Sequence, residues 1–162
     1  SPYVELPKKL TVEQNLEIYG RMYDVKNLKE KINELSYDLN LNELLKKKTG
    51  ELSSGQRNRV SLAKSLINNP EILFLDEPTA SLDPDIGDYV RGYIESYKKK
   101  NKITILLASH NMVEVERLCD SVIMMGKGKI IDQGTCEEII QRHGRKNLEE
   151  TFLKLARGNN EI

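Results

Sequence analysis

The sequence predicts an α/β protein in which a helical segment precedes a core that contains parallel β-strands. Two segments, Ile72–Leu75 and Ile103–Ala108, are apolar throughout, which is typical of parallel strands that are covered on both faces. Residues 11–45 instead carry apolar side chains at helical spacing, and this periodicity predicts two or three helices. Beyond Pro84, predicted helices and strands alternate along the chain, which is the order of elements expected of an α/β core.

The individual elements follow from the periodicity and from the residues that bound each segment. In the helical segment, Leu16, Tyr19 and Tyr23 recur on one face. The later elements are expected to be a strand at Ile72–Asp76, a helix after Pro84, a strand at Ile103–Ala108, a helix from Met112, strands near Val122 and Ile130, and a helix through Glu138 to His143.

Composition excludes several classes of function. The 162 residues are enough for one domain with its own core. The 25 basic residues balance the 25 acidic ones, so no net charge favours nucleic acid or an anionic membrane surface as a partner. Cys119 and Cys136 lack CxxC spacing, which indicates free thiols in a reducing compartment. No apolar stretch approaches the roughly 18 residues of a membrane-spanning helix.

The first motif, Leu52–Gln56, opens a predicted helix that continues to Ile67. Ser53 and Gln56 have the spacing of a capping box, in which a hydroxyl and an amide side chain satisfy free backbone N–H groups at a helix start. The same helix start contains Gly55 and could offer N–H donors and the positive end of the helix dipole to a phosphate. On its own, the motif favours the structural role over the phosphate-binding one.

The second motif is an apolar strand that ends in two carboxylates, Asp76 and Glu77. A buried parallel strand delivers such residues to the carboxyl edge of its sheet, where ligands of open α/β sheets bind. There Asp76 could hold Mg²⁺, directly or through water, and Glu77 could polarise a water for attack on a γ-phosphate. The structural alternative, a strand that meets a turn at Pro78, is weakened by the motifs that surround it.

Two further motifs follow in order along the chain. Residues Glu77–Pro84 read E-P-T-A-S-L-D-P, and the second apolar strand leads directly into Ser109 and His110. In this order, the four motifs resemble the signature, Walker B strand, D-loop and switch histidine of ATP-binding-cassette (ABC) ATPases. The segment Leu10–Leu16 looks like the start of that family's helical subdomain, so the resemblance covers nearly the whole chain. It implies a partial P-loop NTPase (RecA-like) parallel sheet core preceded by an α-helical subdomain.

The resemblance also implies a role for each motif residue. Asp76 would serve Mg²⁺, Glu77 the attacking water, and His110 the γ-phosphate of ATP. A serine stands at the third signature position, where the family usually has a glycine. The residues implied to contact the γ-phosphate of ATP held by a partner subunit are Ser53, Ser54, Gly55 and Gln56, and those implied to couple two sites across a dimer are Ser81 and Asp83.

The phosphate-binding loop of the family, G-x-x-x-x-G-K-[ST], has no match in the sequence. The nearest candidate runs from Gly50 to Arg57, but it places Gln56 where a lysine must reach the β- and γ-phosphates, and no predicted strand precedes it. We therefore expect the chain to be a fragment that starts just ahead of the helical subdomain and is inactive alone. We also expect it to swap or associate so that exposed strand edges are covered.

Three regions are expected on this basis. Residues 1–69 would form the helical subdomain with the signature motif and its helix, residues 70–143 the partial RecA-like ATPase core, and residues 144–162 a C-terminal helical tail. In the tail, Asn147–Leu155 looks like the closing motif of cassettes that energise ABC-2-type exporters. From its apolar spacing alone, this segment is predicted to be an amphipathic helix.

For the parent protein, the resemblance implies an ATP-hydrolysing subunit of an exporter. Its partners would be a second ATPase subunit, as a homodimer, and a transmembrane permease that holds it peripherally at the cytoplasmic face of the cell membrane. No nucleic acid is expected among its partners. One alternative is a soluble ABC ATPase of translation or DNA repair, which would be expected to bring coiled-coil inserts, duplicated cassettes or basic tracts, and the sequence contains none of these. The other alternative is an idle truncated product.

Overall fold

The computed structural model describes residues 6–158 of the chain. Contacts divide the chain into two compact units, with the boundary between Ala108 and Ser109. The first unit holds a group of helices and a parallel pair of strands, and the second holds a β-hairpin with three helices. The expected division into regions 1–69, 70–143 and 144–162 stays a prediction.

The first unit opens with helices that meet around an apolar core. Thr11 and Gln14 form a capping box at the start of the first helix, because each side chain accepts a hydrogen bond from the backbone N–H group of the other residue. The prediction of two or three helices in residues 11–45 is confirmed. The helical elements are α1 at Val12–Met22, α2 at Leu28–Asp38, two 3₁₀ helices at Asn42–Leu44 and Thr49–Glu51, and α3 at Ser54–Leu66.

Packing between these helices holds the group together. Helices α1, α2 and α3 contact one another in all three pairings, and each contributes a fully buried apolar side chain, namely Leu16, Leu35 and Val60. Burying an aliphatic side chain of this size contributes roughly 1.5–3 kcal/mol. Helices of this length are marginal in isolation, so tertiary packing is the main source of their stability.

A parallel pair of strands follows the helices. Strand β1 spans Ile72–Asp76 and strand β2 spans Thr104–Ala108. The two pair in parallel over their whole length, so the last residues of both strands lie opposite each other. Helix α4, at Pro84–Asn101, connects them, as parallel strands require a long crossover. The predicted strands and the predicted helix after Pro84 are confirmed, with β2 starting one residue later than expected.

One face of this sheet is exposed among the described residues. Leu73 and Leu75 of β1 are 4% and 6% exposed, whereas Ile72 and Phe74 are 58% and 69% exposed. Leu106 of β2 is 60% exposed. The expectation that both faces of these strands are covered is therefore wrong for residues 6–158, because a single side of the sheet is buried there. Adjacent apolar side chains of this size at a surface mark a contact region.

The second unit is built around an antiparallel hairpin. Strand β3 spans Val122–Gly126 and pairs with β4 at Lys129–Gly134. Lys127 and Gly128 connect the strands with φ of 49° and 75°, and positive φ at both central residues identifies a primed hairpin turn, whose twist suits the flanking strands. The predicted strands near Val122 and Ile130 are thereby confirmed.

Three helices pack with this hairpin. Val115, Met124, Ile139 and Leu148 form the buried apolar cluster of the unit. A polar contact also ties the hairpin to a helix, since Nε2 of His143 lies 2.7 Å from a carboxylate oxygen of Asp132. Across residues 6–158, no helix combines the length and the apolarity needed to cross a membrane. The helices are α5 at Met112–Leu118, α6 at Cys136–His143 and α7 at Leu148–Gly158.

Helix α3 starts in close contact with the loop that follows β1. A Cβ atom placed on Gly55 would lie 2.9 Å from the carbonyl oxygen of Ser81 and 3.1 Å from a methyl carbon of Leu82. The first of these separations is shorter than a Cβ atom tolerates from a backbone oxygen. A glycine is therefore required for the helix start and the loop to approach this closely.

Replacing this glycine should destabilise the first unit. We expect Gly55→Ala to lower the free energy of unfolding by about 1–3 kcal/mol, because the new methyl group must displace the loop backbone. A matched control is Gly87→Ala in α4, where the added methyl would meet the flexible side chain of Arg91 at 3.3 Å. The control should be neutral or stabilising by about 0.5–1 kcal/mol, because alanine favours a helix. Urea unfolding measures both, and equal effects would contradict the steric argument.

The two faces of β1 should respond differently to truncation. We expect Leu75→Ala to lower the free energy of unfolding by about 2–5 kcal/mol, because it leaves a cavity in the covered face. Phe74→Ala, on the exposed face, should change it by less than about 1 kcal/mol. The measurement is urea unfolding of the 162-residue chain followed by circular dichroism. A larger loss for Phe74→Ala would show that the exposed face is covered in solution.

Candidate functional site

The signature residues lie at the start of α3, where they form a capping box. The hydroxyl oxygen of Ser53 accepts a hydrogen bond from the backbone N–H of Gln56 at 3.2 Å, and the Gln56 side-chain oxygen accepts one from the Ser53 N–H at 3.0 Å. The structural reading of the motif is therefore confirmed. A phosphate-binding role is compatible with this geometry, because both capping contacts use side-chain oxygens as acceptors and leave the side-chain donors available.

Several hydrogen-bond donors of this helix start are not used by the cap. A serine hydroxyl that accepts a bond can still donate its own proton, and a glutamine amide has two N–H donors besides its oxygen. The backbone N–H groups of Ser54 and Gly55 precede the first helical hydrogen bond, which Arg57 donates to the Ser53 carbonyl at 2.9 Å. Together with the positive end of the helix dipole, these groups can receive a phosphate.

The carboxylates of the second motif leave the sheet at the carboxyl end of β1. Asp76 is the last residue of the strand and is exposed, whereas Glu77 is half-buried. The Glu77 backbone is anchored to the neighbouring strand, since its N–H donates to the carbonyl oxygen of Ala108 at 2.8 Å. Its φ of 50° lies in the left-handed region, a conformation that costs a non-glycine residue about 1–3 kcal/mol and persists where surrounding contacts hold it.

The loop after Glu77 is held by backbone contacts of its own. Ala80 N–H donates to the Glu77 carbonyl at 3.0 Å, and Leu82 N–H donates to the Thr79 carbonyl at 3.3 Å. Ser81 also has a left-handed φ, of 62°. Asp83 is the N-cap residue of α4 and is exposed. The loop therefore runs between two left-handed residues and ends at a helix start.

The loop and the signature helix meet directly. Gly55 lies against the carbonyl of Ser81, and the side-chain amide of Asn58 donates hydrogen bonds to the carbonyl oxygens of Pro78 at 2.9 Å and Ala80 at 3.0 Å. The structure thus brings the predicted signature and D-loop residues together within the first unit. This proximity could not be read from the sequence, in which the partners are about 20 residues apart.

Asp76 also lines a cavity between α3 and β1. The cavity has a volume of about 130 Å³, and its lining includes Asn58 and Lys64. The ammonium group of Lys64 lies 4.6 Å from the ring centre of Tyr19, and burial lowers the pKa of Lys64 below its usual value. The lining of the cavity therefore includes a basic residue from α3 and an acidic residue from β1.

The carboxylate of Asp76 fits one type of magnesium site. Mg²⁺ is commonly bound through one or two protein carboxylates, with the remaining ligands supplied by phosphate oxygens and water. A single exposed aspartate at a sheet edge suits that arrangement. In residues 6–158, no group of three or more His, Cys, Asp or Glu side chains could hold a metal ion by itself, so substrate phosphates would have to complete the site.

His110 belongs to the second unit, where the residues on either side of it are anchored. The hydroxyl of Ser109 donates to a carboxylate oxygen of Glu114 at 2.6 Å and accepts from the Asn111 N–H at 3.1 Å. The Asn111 side chain caps α5 by accepting from the N–H groups of Val113 and Glu114. His110 itself is exposed, so its ring is carried on a backbone that is fixed on both sides.

Two buried polar residues near these motifs were missed in the sequence. Asn58 is 6% exposed and Glu114 is 1% exposed. Asn58 precedes Leu62 by one helical repeat, so the available signal was a polar residue on the apolar face of α3. Glu114 offered a weaker signal, because an acidic residue in the first turn of a helix is common on electrostatic grounds alone.

Comparison with known protein families gives a match to the first part of the chain, which includes the signature and the two carboxylates at the end of β1. The family described as ABC transporter matches residues 3–80. Among curated proteins, the ABC transporter ATP-binding protein NatA of Bacillus subtilis is 36% identical over 153 residues, which are 93% of this chain and 62% of that protein. The chain thus spans about six tenths of the length of this relative.

Two further relatives carry names of opposite transport direction. The Nod factor export ATP-binding protein I of Rhizobium sp. is 34% identical over 85% of this chain and 46% of its own length. The methionine import ATP-binding protein MetN of Clostridioides difficile is 33% identical over 90% of this chain and 46% of its own length.

The fold has a counterpart among solved structures. An ATP-binding subunit of an ABC transporter superposes with a TM-score of 0.83 at 24% identity, over 93% of this chain and 64% of that chain. This likeness supports an α/β fold with parallel strands, which is consistent with the fold of a partial P-loop NTPase. The ordered motifs, the family match over residues 3–80 and the curated relatives together support the assignment of the chain to the ABC ATPases.

Proposed function

We propose that the complete protein containing this chain hydrolyses ATP to drive transport through a membrane partner. The observation that carries the proposal is the arrangement at the end of β1. There Asp76 and Glu77 leave the carboxyl edge of the parallel strands, and the start of α3 packs against the loop that follows them. This edge is where open α/β sheets bind their ligands.

Each site residue would have a separate role in ATP hydrolysis. Glu77 would orient and polarise the attacking water, and His110 would contact the γ-phosphate. Asp76 would hold Mg²⁺, which when bound neutralises charge on the phosphate oxygens. The signature donors of Ser53, Ser54, Gly55 and Gln56 would contact the γ-phosphate of a nucleotide on a second ATPase subunit, and Ser81 and Asp83 would lie at the contact between the subunits.

The proposed partners are a second ATPase subunit, as a homodimer, and a transmembrane permease. Through the permease the protein would lie peripherally at the cytoplasmic face of the cell membrane. The permease would contact the surface formed by the helices of residues 11–45. We favour export as the direction because Asn147–Leu155 resembles the closing motif of ABC-2-type exporters, and α7 covers that segment from Leu148 onwards. The names of the relatives include both import and export proteins, so this preference depends on the tail alone.

A second candidate function is that of an ABC ATPase that acts without a permease, in translation or DNA repair. The balance of 25 basic and 25 acidic residues gives such a protein no electrostatic advantage on nucleic acid. A salt-dependent affinity of the chain for duplex DNA or RNA would favour this alternative over the transport function.

The chain of 162 residues should bind nucleotide weakly by itself. It contains the carboxylates and the signature donors but no phosphate-binding loop, and that loop supplies the main contacts to the α- and β-phosphates. We expect isothermal titration calorimetry with ATP and Mg²⁺ to give no affinity tighter than about 1 mM, near −4 kcal/mol. Micromolar binding would show that the described residues form a nucleotide site unaided.

In the complete protein, Glu77→Gln should separate binding from hydrolysis. The amide keeps the size of the side chain but cannot accept a proton from the attacking water, so we expect kcat to fall about 10²–10⁴-fold. ATP affinity should stay within about threefold, because the lost interaction acts in the transition state. Steady-state phosphate release and equilibrium nucleotide binding measure the two quantities. Glu51→Gln, an exposed substitution of the same type, is the control and should leave kcat unchanged.

A further inference from the structure

The side chain of Asn58 connects the signature helix to the loop that carries Glu77. Asn58 lies in α3 and is 6% exposed. Both hydrogen bonds that its amide nitrogen makes go to the same loop, at 2.9 Å to the Pro78 carbonyl and 3.0 Å to the Ala80 carbonyl. A primary amide nitrogen has two N–H groups, so this pair of contacts uses the full donor capacity of the group.

The two accepting carbonyls belong to a part of the loop that is flanked by residues with unfavourable backbone dihedral angles. Glu77 and Ser81 both have left-handed φ angles, of 50° and 62°, and Pro78 and Ala80 lie between them in the chain. Such conformations persist when surrounding contacts over-determine them. The two hydrogen bonds of the buried Asn58 side chain are such contacts, and they come from outside the loop.

The Glu77 backbone is therefore held from two directions. Its N–H group is bonded to the end of β2 through the Ala108 carbonyl at 2.8 Å. The residue that follows it, Pro78, is bonded to α3 through Asn58. Because a carboxylate that orients water must be placed to within a fraction of an ångström, fixing the backbone on both sides of Glu77 limits where its side chain can reach.

We propose that Asn58 is a positioning residue for ATP hydrolysis, whose side-chain amide holds the loop after β1 so that Glu77 and Ser81 are presented in the reactive arrangement. This inference rests on the proposed function, since it assigns Asn58 a part in that reaction. It also links the signature helix to the hydrolytic carboxylate within one subunit, because a displacement of α3 moves both hydrogen bonds. Asn58 contributes no group to the nucleotide itself.

The test compares Asn58 variants in the complete ATPase by kcat, KM for ATP and thermal midpoint. Asn58→Leu keeps the approximate size but has no donor, and we expect kcat to fall about 10- to 100-fold with KM changed less than about threefold. Asn58→Gln keeps an amide with two donors and should recover kcat to within about fivefold of the wild type. If Asn58→Leu does not fold, Asn58→Ser is assayed instead, with the same expected direction.

The adjacent residue Arg59 provides a matched control. Its guanidinium also donates two hydrogen bonds to backbone carbonyls, those of Leu39 and Asn40, each at 2.8 Å. Those carbonyls follow α2 and lie outside the loop after β1. Arg59→Met should therefore lower the thermal midpoint, while kcat stays within about twofold of the wild type.

The outcomes separate this inference from the proposed function. A wild-type protein that hydrolyses ATP, a Glu77→Gln variant that does not, and an Asn58→Leu variant with kcat within about twofold of the wild type would overturn the role of Asn58 alone. Equal losses of kcat in Asn58→Leu and Arg59→Met would also overturn it, because the effect would then follow general stability. A wild-type protein without ATPase activity would overturn the proposed function and the role of Asn58 with it.

Discussion

The close contact between the start of α3 and the loop after β1 is the constraint on which the rest of the candidate site depends. Gly55 permits it, since a Cβ atom there would lie 2.9 Å from the Ser81 carbonyl. Asn58 reinforces it with two hydrogen bonds from the buried face of the helix. The signature motif and the loop after β1, which look independent in the sequence, are therefore packed against each other, so that a shift of one displaces the other.

The helical group is joined to α4 by a second set of contacts. The hydroxyl of Tyr89 in α4 donates to the carbonyl of Asp38 at the end of α2, at 2.8 Å. Tyr93, one helical repeat further, has a pKa raised by burial and by the charge of Asp38. Helix α4 also begins where the loop after β1 ends. The loop therefore lies between α3, whose Asn58 is hydrogen-bonded to it, and α4, which continues from it and is hydrogen-bonded to the end of α2.

Features encoded by neighbouring residues were predictable from the sequence. The capping box of Ser53 and Gln56 needs three residues of separation, and the strand that ends at Asp76 is a continuous apolar run. Contacts between distant segments were not predictable, because the residues next to Asn58 in the sequence do not indicate that its side chain bonds to the loop after β1. The expectation that both faces of β1 are covered was wrong for a related reason. An apolar residue such as Phe74 shows that a face can be buried, but the sequence does not show which segment would bury it, and the described residues cover only one face.

The capping box has a consequence for recognition. In the structure, Ser53 and Gln56 already hold the helix start in shape through their own hydrogen bonds. Fixing a backbone residue removes about 1–2 kcal/mol of conformational entropy, and here that loss accompanies folding and precedes any encounter with a ligand. A phosphate that reached this helix start would meet donors whose directions are already set, so little further ordering of the backbone would be needed to bind it.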